Sequence, residues 1–386
     1  MDNSRYLVVG AGFSGAVIAR KLAEKGFKVV CIDKRNHIAG NCHTERDKET
    51  NVMVHKYGPH IFNTNNRTVW EYVNSFGEFF PFVNKVIANT EEGMFSMPMN
   101  LLTINQFFNQ KLTPDQVSEF LKSKQSKIDD PQNFEEQALF FLGKELYKNF
   151  FYGYTKKQWG CEPKDLPASI LKRLPIRFNY DDNYYNSTFQ GIPKHGYTSI
   201  IQNILQHDNI EVELNTEYHK SMNSKFKHVF YSGPIDEYLE YKYGRLGYRT
   251  VFFKENIYEG DFQGNAVINY CQEKVEHTRI HEHKHFAPWE KHEKSVVLTE
   301  YSKETLVNDE PYYPKRLSKD IAILELYKND IRAKKENISF VGRLATYRYL
   351  DMDKVISESL SYADYFIKKS DDNGVFTGEQ FSEKEI

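Results

Sequence analysis

Apolar positions along this chain fall into short runs whose spacing changes from one region to the next. Tyr6-Leu7-Val8-Val9 is an apolar run that breaks into Gly10-Ala11-Gly12-Phe13-Ser14-Gly15, after which Ala16, Val17, Ala19 and Leu22 follow helical spacing. This reads as strand, tight turn and helix. Phe27-Lys28-Val29-Val30-Cys31-Ile32-Asp33 is a second strand ending in a carboxylate. From about residue 66 to 160 the period turns helical. Thr113-Pro114-Asp115-Gln116 combines an N-cap, a first-turn proline and a capping-box glutamine, and Asn133-Phe134-Glu135-Glu136 offers a second helix start. Leu139, Leu142, Leu146 and Phe150 then share one helical face. Beyond a loop-rich stretch at 161–197, short runs at Val229–Tyr231 and Tyr248–Phe253 alternate with turns, which predicts an antiparallel sheet to about residue 300. Ile338-Ser339-Phe340-Val341-Gly342 repeats the strand-to-glycine pattern, and Ile356, Leu360, Ala363 and Ile367 mark an amphipathic helix that begins after Asp351-Met352-Asp353. From Lys368 the chain is polar and is expected to be disordered.

The first turn has the form Gly-x-Gly-x-x-Gly. Gly10 permits the sharp turn, Gly12 lets a pyrophosphate approach the backbone, and Gly15 lets helix and strand pack closely. The helix N-terminus offers free N–H groups to phosphate. Asp33 stands about 20 residues on, where a ribose hydroxyl needs an acceptor. The turn-rich Lys34-Arg35-Asn36-His37-Ile38-Ala39-Gly40-Asn41 comes where a nicotinamide enzyme would continue its strands and helices, which tips the cofactor towards extended FAD. In such a protein the second strand-glycine-helix unit aims a helix N-terminus at the isoalloxazine.

Composition narrows the partners. Lysine and arginine total 51 against 53 acidic residues in 386, so no polybasic face points to nucleic acid or anionic lipid, and the length predicts two or three domains. Apolar runs are short, and Met1 leads straight into the first strand; a soluble cytoplasmic protein with no membrane insertion is expected. Cys31, Cys42, Cys161 and Cys271 are scattered, as reduced thiols are. The 26 Tyr and 28 Phe suit a site that stacks rings and hydrogen-bonds phosphates or sugars.

Strand alternation in His281-Glu282-His283-Lys284-His285 would place three imidazoles on one face, but the interleaved charges favour a hydrogen-bonded strand face, and no metal is expected. No Gly-x-Ser-x-Gly and no Walker lysine are present, which leaves hydrolase and kinase readings without support. Arg173, Arg249, Arg279 and Arg343 each sit among aromatic or apolar neighbours, where a guanidinium needs an anionic partner. A diphosphate meets that need through bidentate geometry, and a structural salt bridge meets it equally well for any one of them.

Several motifs in colinear order resemble the bacterial UDP-galactopyranose mutase family. They are Gly10–Gly15, Lys34–Ile38, His55-Lys56-Tyr57-Gly58-Pro59-His60-Ile61-Phe62, Gly153-Tyr154-Thr155-Lys156-Lys157-Gln158-Trp159-Gly160, Leu171-Lys172-Arg173-Leu174-Pro175, Gln263–Val267, Pro311–Pro314 and Gly342–Asp351. Ala39 departs from the glycine usual before Asn41. The resemblance implies interconversion of UDP-galactopyranose and UDP-galactofuranose by reduced FAD, whose N5 attacks the anomeric carbon while UDP leaves, with no net redox change. It implies Arg173 and Arg279 as pyrophosphate clamps, helped by Tyr184, Tyr313 and Tyr349. Tyr154 with Phe150 and Phe151 resembles the uridine platform, and Trp159 the aromatic at the sugar. His60, Arg249, Arg343 and Asp351 match positions beside flavin or galactose. Asn84, Thr155 and Asn269 match further substrate positions, and Phe13, Ser14, Lys34, Asn41, Ile61, Leu350 and Met352 join Gly10, Gly12, Gly15, Asp33, His60, Arg343, Tyr349 and Asp351 as cofactor positions. The family also implies a mobile loop around Arg173, a homodimer and a product destined for cell-surface polysaccharide.

The fold class expected is α/β: a Rossmann-like FAD-binding domain with an inserted helical domain and an antiparallel sheet domain. The divisions are 1–80 with 195–240 and 315–370 for FAD, 81–180 for the helical insertion, 181–194 with 241–314 for the substrate sheet, and 371–386 for a polar tail. The same fold also hosts amine-oxidase-like FAD oxidoreductases and non-catalytic GDP-dissociation inhibitors, so these remain rival readings.

Overall fold

The first apolar run becomes the centre of a five-stranded parallel sheet because it is buried on both faces, as parallel strands are. A computed structural model describes residues 5–173, 176–370, 376 and 378–382. The strand order is Ile210–Glu213, Val29–Ile32, Tyr6–Val9, Val229–Tyr231 and Ile338–Phe340. The helix Phe13–Glu24 lies against the helix Met352–Lys369, and Ala16, Val17 and Ala19 share a core with Ile356, Ala363 and Phe366. Close packing at the turn depends on Gly15, where a Cβ would stand 1.9 Å from the Gly10 carbonyl oxygen.

A seven-stranded sheet runs in the order Tyr313–Pro314, Tyr248–Glu259, Lys294–Glu304, Arg279–Glu282, Val267–Tyr270, Val86–Thr90 and Gly93–Met97. Its pairings are antiparallel except for the parallel pair of Val267–Tyr270 with Val86–Thr90.

Several sequence expectations are corrected. Val229–Tyr231 belongs to the parallel sheet, not the antiparallel one, since all three residues are buried. Val86–Thr90 and Gly93–Met97 are strands inside the stretch read as helical; their hairpin closes through Glu91 and Glu92 onto Gly93 at φ +136°. The capping box at Thr113 and the Asn133 cap both form. Leu139 to Phe150 nevertheless do not lie on one helix. Gly143 at φ +80° ends the helix Phe134–Leu142, and the chain then makes a wide π-helical turn over Tyr147–Tyr152 before the helix Gly153–Trp159. Part of the polar tail is docked: Phe381 is buried and stacks on Phe340, and the Phe340 N–H donates to the Gln380 carbonyl at 2.7 Å. The free edge of the 338–340 strand supplies the reason, since its backbone groups need partners. Among the described residues no helix is long and apolar enough to cross a membrane.

Burial keeps several histidines neutral. It lowers His228 and His283 to about 3, with the His281 charge adding to the effect at His283. Burial lowers His60 to about 4, helped by the Arg343 and Arg279 charges against the pull of the Gly58 carbonyl. Unfolded histidine binds its proton near pH 6.5, so below that pH the unfolded chain takes up protons that the folded one refuses. Stability is therefore full above about pH 6.5 and falls on acidification, by on the order of 1 kcal/mol per pH unit for each such histidine. The urea midpoint at pH 5 is expected to lie well below that at pH 7.5; equal midpoints would contradict the neutral assignment.

Candidate functional site

The glycine turn is held from the neighbouring strand. Asp33 Oδ2 accepts from the Ala11 N–H at 2.9 Å and Oδ1 from the Arg35 N–H at 3.0 Å. Each oxygen keeps a further lone pair, so the ribose reading of Asp33 stays compatible with this bracing role. Gly12 starts the helix with no side-chain cap, and Gly40 lies across from it, where a Cβ would come within 3.3 Å of the Gly12 Cα. A bare helix N-terminus between two glycines, with a carboxylate on the next strand, fits a dinucleotide diphosphate and its ribose. Ala39 is buried at φ +77°, which gives the physical reason glycine suits that position. Lys34 pairs with Glu310 at 2.8 Å, and the Asn41 carboxamide oxygen accepts from Arg35 at 3.0 Å. Phe13, Ser14, Ile61 and Leu350 are buried, and Ser14 Oγ lies 3.3 Å from Ser359 Oγ. Asp351 is exposed at the N-cap of the helix that opens with Met352.

Beside this cradle, Arg279 is paired with the buried Glu300, through Nε at 2.9 Å and Nη2 at 2.8 Å. The Arg343 guanidinium lies 5.5 Å from the Tyr313 ring centre and 5.1 Å from that of Tyr349, and the two rings stack at 5.5 Å. Arg343 also donates to the carbonyls of Leu350 at 3.1 Å and Tyr312 at 3.4 Å. Tyr154, Tyr184 and Tyr313 lie close enough to Arg279 to feel its charge. Burial raises all three phenols against that charge, Tyr313 to about 12, so they stay protonated as O–H donors at neutral pH. His60 stands near both Arg279 and Arg343, its Nδ1 2.7 Å from the Gly58 carbonyl. Among the described residues the buried Oδ1 atoms of Asn84 and Asn269 have no protein partner. Asn269 is the register partner of Arg279 on the adjoining strand, and the Asn84 carbonyl accepts the Tyr184 N–H at 2.9 Å. Arginines and neutral phenols around one cleft suit an anionic, oxygen-rich ligand.

The helix Gly153–Trp159 carries Tyr154, Thr155 and Trp159 and is anchored at its C-terminal end. Arg249 is buried beneath it, donating to the carbonyls of Gln158 at 3.0 Å and Lys157 at 3.1 Å while pairing with Glu304 at 3.2 Å. Gly160, at φ +65°, ends the helix, and a Cβ there would stand 2.2 Å from Arg249 Nη1. Arg249 therefore caps the helix and supports the segment that carries Trp159. Lys157 Nζ donates to the carbonyls of Tyr270, Gln272 and His277 at 2.8, 2.9 and 2.9 Å, and burial lowers it to about 8. Phe150 packs between Phe95 and Phe107 in the core and not in the cleft. Phe151 lines an apolar cavity of about 440 Å³ with Met97, Met99, Leu171 and Ile176. The side chain of Arg173 lies outside the described residues, although its backbone closes the helical turn Ala168–Arg173.

The histidine run does not share one strand face, because the strand ends at Glu282 and His283–Phe286 turns away. His281 and His283 are buried, whereas His285 meets Asp261 at 3.0 Å and Glu282 at 3.4 Å. Asp261, Glu282 and His285 have ligand atoms within 4.8 Å of one another, but Glu282 already accepts the N–H groups of Phe262 and Gln263. Sequence reasoning missed Glu300, Lys157 and Arg177. Arg177 is buried and donates to the carbonyls of Asp181, Asn183 and Tyr185, shaping the loop that presents Tyr184. Its apolar neighbour Ile176 carries the same signal that singled out the other arginines.

Comparison with known proteins gives a consistent result. The family profile described as UDP-galactopyranose mutase matches residues 149–349, and a profile for NAD(P)-binding Rossmann-like domains matches residues 8–76. The chain is 56% identical to a probable UDP-galactopyranose mutase of Klebsiella pneumoniae, over 95% of this chain and 96% of that one. It is 50% identical to a dTDP-fucopyranose mutase of Escherichia coli, over 95% and 99%. A crystal structure of reduced UDP-galactopyranose mutase superposes with a TM-score of 0.74 at 13% identity, covering 95% of this chain and 94% of that one, which shows the shared fold.

The cap under Trp159 yields a direct test. Arg249 Nε also donates to Ser302 Oγ at 3.2 Å, and a lysine at position 249 cannot reach two carbonyls, Ser302 and Glu304 together, so Arg249→Lys is expected to cost about 2 kcal/mol of stability. Thermal denaturation of the flavin-loaded protein reads the effect, and an unchanged midpoint would contradict the capping role.

Proposed function

The chain belongs to the UDP-galactopyranose mutase family, and from that membership we propose that it interconverts UDP-galactopyranose and UDP-galactofuranose with FAD as cofactor. The observation that carries the reading is a cluster of arginines and protonated tyrosines beside a dinucleotide cradle. When bound in its reduced form, FAD supplies the nucleophile for the anomeric carbon. The protein's work is then to hold UDP while its bond to the sugar is broken and remade.

Arg279 and Arg173 grip the pyrophosphate in this reading, with Tyr184, Tyr313 and Tyr349 donating hydrogen bonds. Tyr154 and Phe151 support the uracil, Phe150 backs them from the core, and Trp159 lies along the sugar. Thr155, Asn84 and Asn269 complete the nucleotide-sugar contacts, which the unpaired Oδ1 atoms of the two asparagines support. Gly10, Gly12, Phe13, Ser14, Gly15 and Asp33 hold the FAD diphosphate and ribose, with Lys34 and Asn41 alongside. His60, Ile61, Arg343, Leu350, Asp351 and Met352 surround the flavin, and His60 is kept neutral there by its burial and the two nearby guanidinium groups. The reading extends to a cytoplasmic homodimer whose product serves cell-surface polysaccharide, on the support of the family likeness.

The test is equilibration of UDP-galactofuranose under dithionite. Conversion to the pyranose is expected; in a parallel aerobic sample of the oxidised holoenzyme without dithionite, flavin bleaching by substrate with oxygen uptake would instead identify an oxidase. The same assay with dTDP-fucofuranose decides between the two sugar nucleotides, and faster turnover of the dTDP-sugar would overturn the substrate assignment. Arg173→Ala is expected to leave FAD bound and the fold intact while removing nearly all turnover, and an enzyme near full rate would sink the clamp role.

A further inference from the structure

Arg279 and Glu300 stand directly opposite each other on neighbouring antiparallel strands. Their pairing is side-on: Nε meets Oε1 and Nη2 meets Oε2, at 2.9 and 2.8 Å. A guanidinium held on that edge keeps both Nη1 hydrogens and one Nη2 hydrogen for another acceptor. Arg279 keeps 26% of its side-chain surface exposed, whereas Glu300 has 1% and lies beneath it. Glu300 is saturated from below. Thr278 Oγ1 donates to Oε1 at 2.9 Å, and His281 Nε2 lies 3.0 Å from Oε2. Burial would raise this carboxyl, but the Arg279 charge and the His281 contact hold it well below the usual carboxylate range. The carboxylate therefore stays ionised with its plane locked by four donors, and a locked carboxylate locks the guanidinium plane above it.

A Cβ at Gly58 would come 3.9 Å from Glu300 Oε2, so the loop bearing His60 closes over the same group. His281 is buried beside it, and burial lowers its pKa. From this packing we infer that Glu300 is a positioning residue: it holds Arg279 so that the free guanidinium edge stays on the pyrophosphate while the sugar bond breaks and re-forms. Its charge also tempers that of Arg279, so UDP is oriented without being held too tightly to react again. The inference rests on reading Arg279 as a pyrophosphate clamp.

Glu300→Gln in the reduced holoenzyme separates the two. The amide keeps the shape but removes the charge and places an N–H against one of the present donors, which breaks one side-on bond. The expected result is a fall in kcat of about 20-fold or more, with UDP affinity no more than about twofold weaker and FAD content unchanged. A kcat within about threefold of wild type, or equal losses in kcat and UDP affinity, would overturn it. Thr278→Val, which removes one supporting donor and keeps the carboxylate, is expected to show the same split at about three- to tenfold if the first variant does not fold; an unchanged kcat there overturns the inference. Arg279→Ala is measured alongside. If it leaves UDP binding and turnover intact, the clamp reading itself fails; if it abolishes them while Glu300→Gln runs at full rate, the positioning role alone fails. In the Arg279→Ala background, Glu300→Gln is expected to cost nothing further.

Discussion

The cleft depends on a buried ion pair. Placing Glu300 in the sheet interior costs several kcal/mol of lost hydration, and only close pairing with saturated lone pairs offsets it. Arg279, Thr278 and His281 supply that saturation from the strand opposite and its lead-in residue. The pair consequently requires the register Arg279 to Glu300, and a slip of one residue would turn one partner to the other face. The seven-stranded sheet is thus more than a platform, because its register sets where the guanidinium points.

Around that pair the protein uses backbone carbonyls where other sites use carboxylates. Arg249, Lys157, Arg177 and Arg343 each donate to carbonyls at the ends of helices or loops, and each fixes a segment that carries a cleft residue. Arg249 and Lys157 pin the helix of Tyr154 and Trp159 to the sheet, and Arg177 shapes the loop of Tyr184. His281, whose pKa burial lowers, lies beneath the pair. The outcome is a wall of braced segments that carry arginine and phenol donors.

Much of this was legible in the sequence wherever a local rule applied. The glycine turn, the carboxylate at Asp33, the cap at Asn133 and the box at Thr113 are local signals, and all four form. Long-range partners were not legible. Glu300 is separated from Arg279 by 21 positions and by the connection between two strands, and nothing in its immediate neighbours marks it. Arg249 showed a need for partners but not which ones, and its partners turned out to be the end of a distant helix. Phe150 followed a helical period that Gly143 and the π-helical turn interrupt, and the docking of Phe381 depends on a sheet edge that no local pattern announces.

Relatives named for a UDP-sugar and a dTDP-sugar resemble this chain to similar degrees, and a nucleoside diphosphate is common to both names. The proposed clamp places Arg279 and the surrounding phenols on that diphosphate. Calorimetric titration of the FAD-loaded protein with UDP and with uridine tests it most directly. A diphosphate clamp predicts UDP binding at least about 100-fold tighter than uridine, weakening as salt is raised; equal affinities for the two would contradict it.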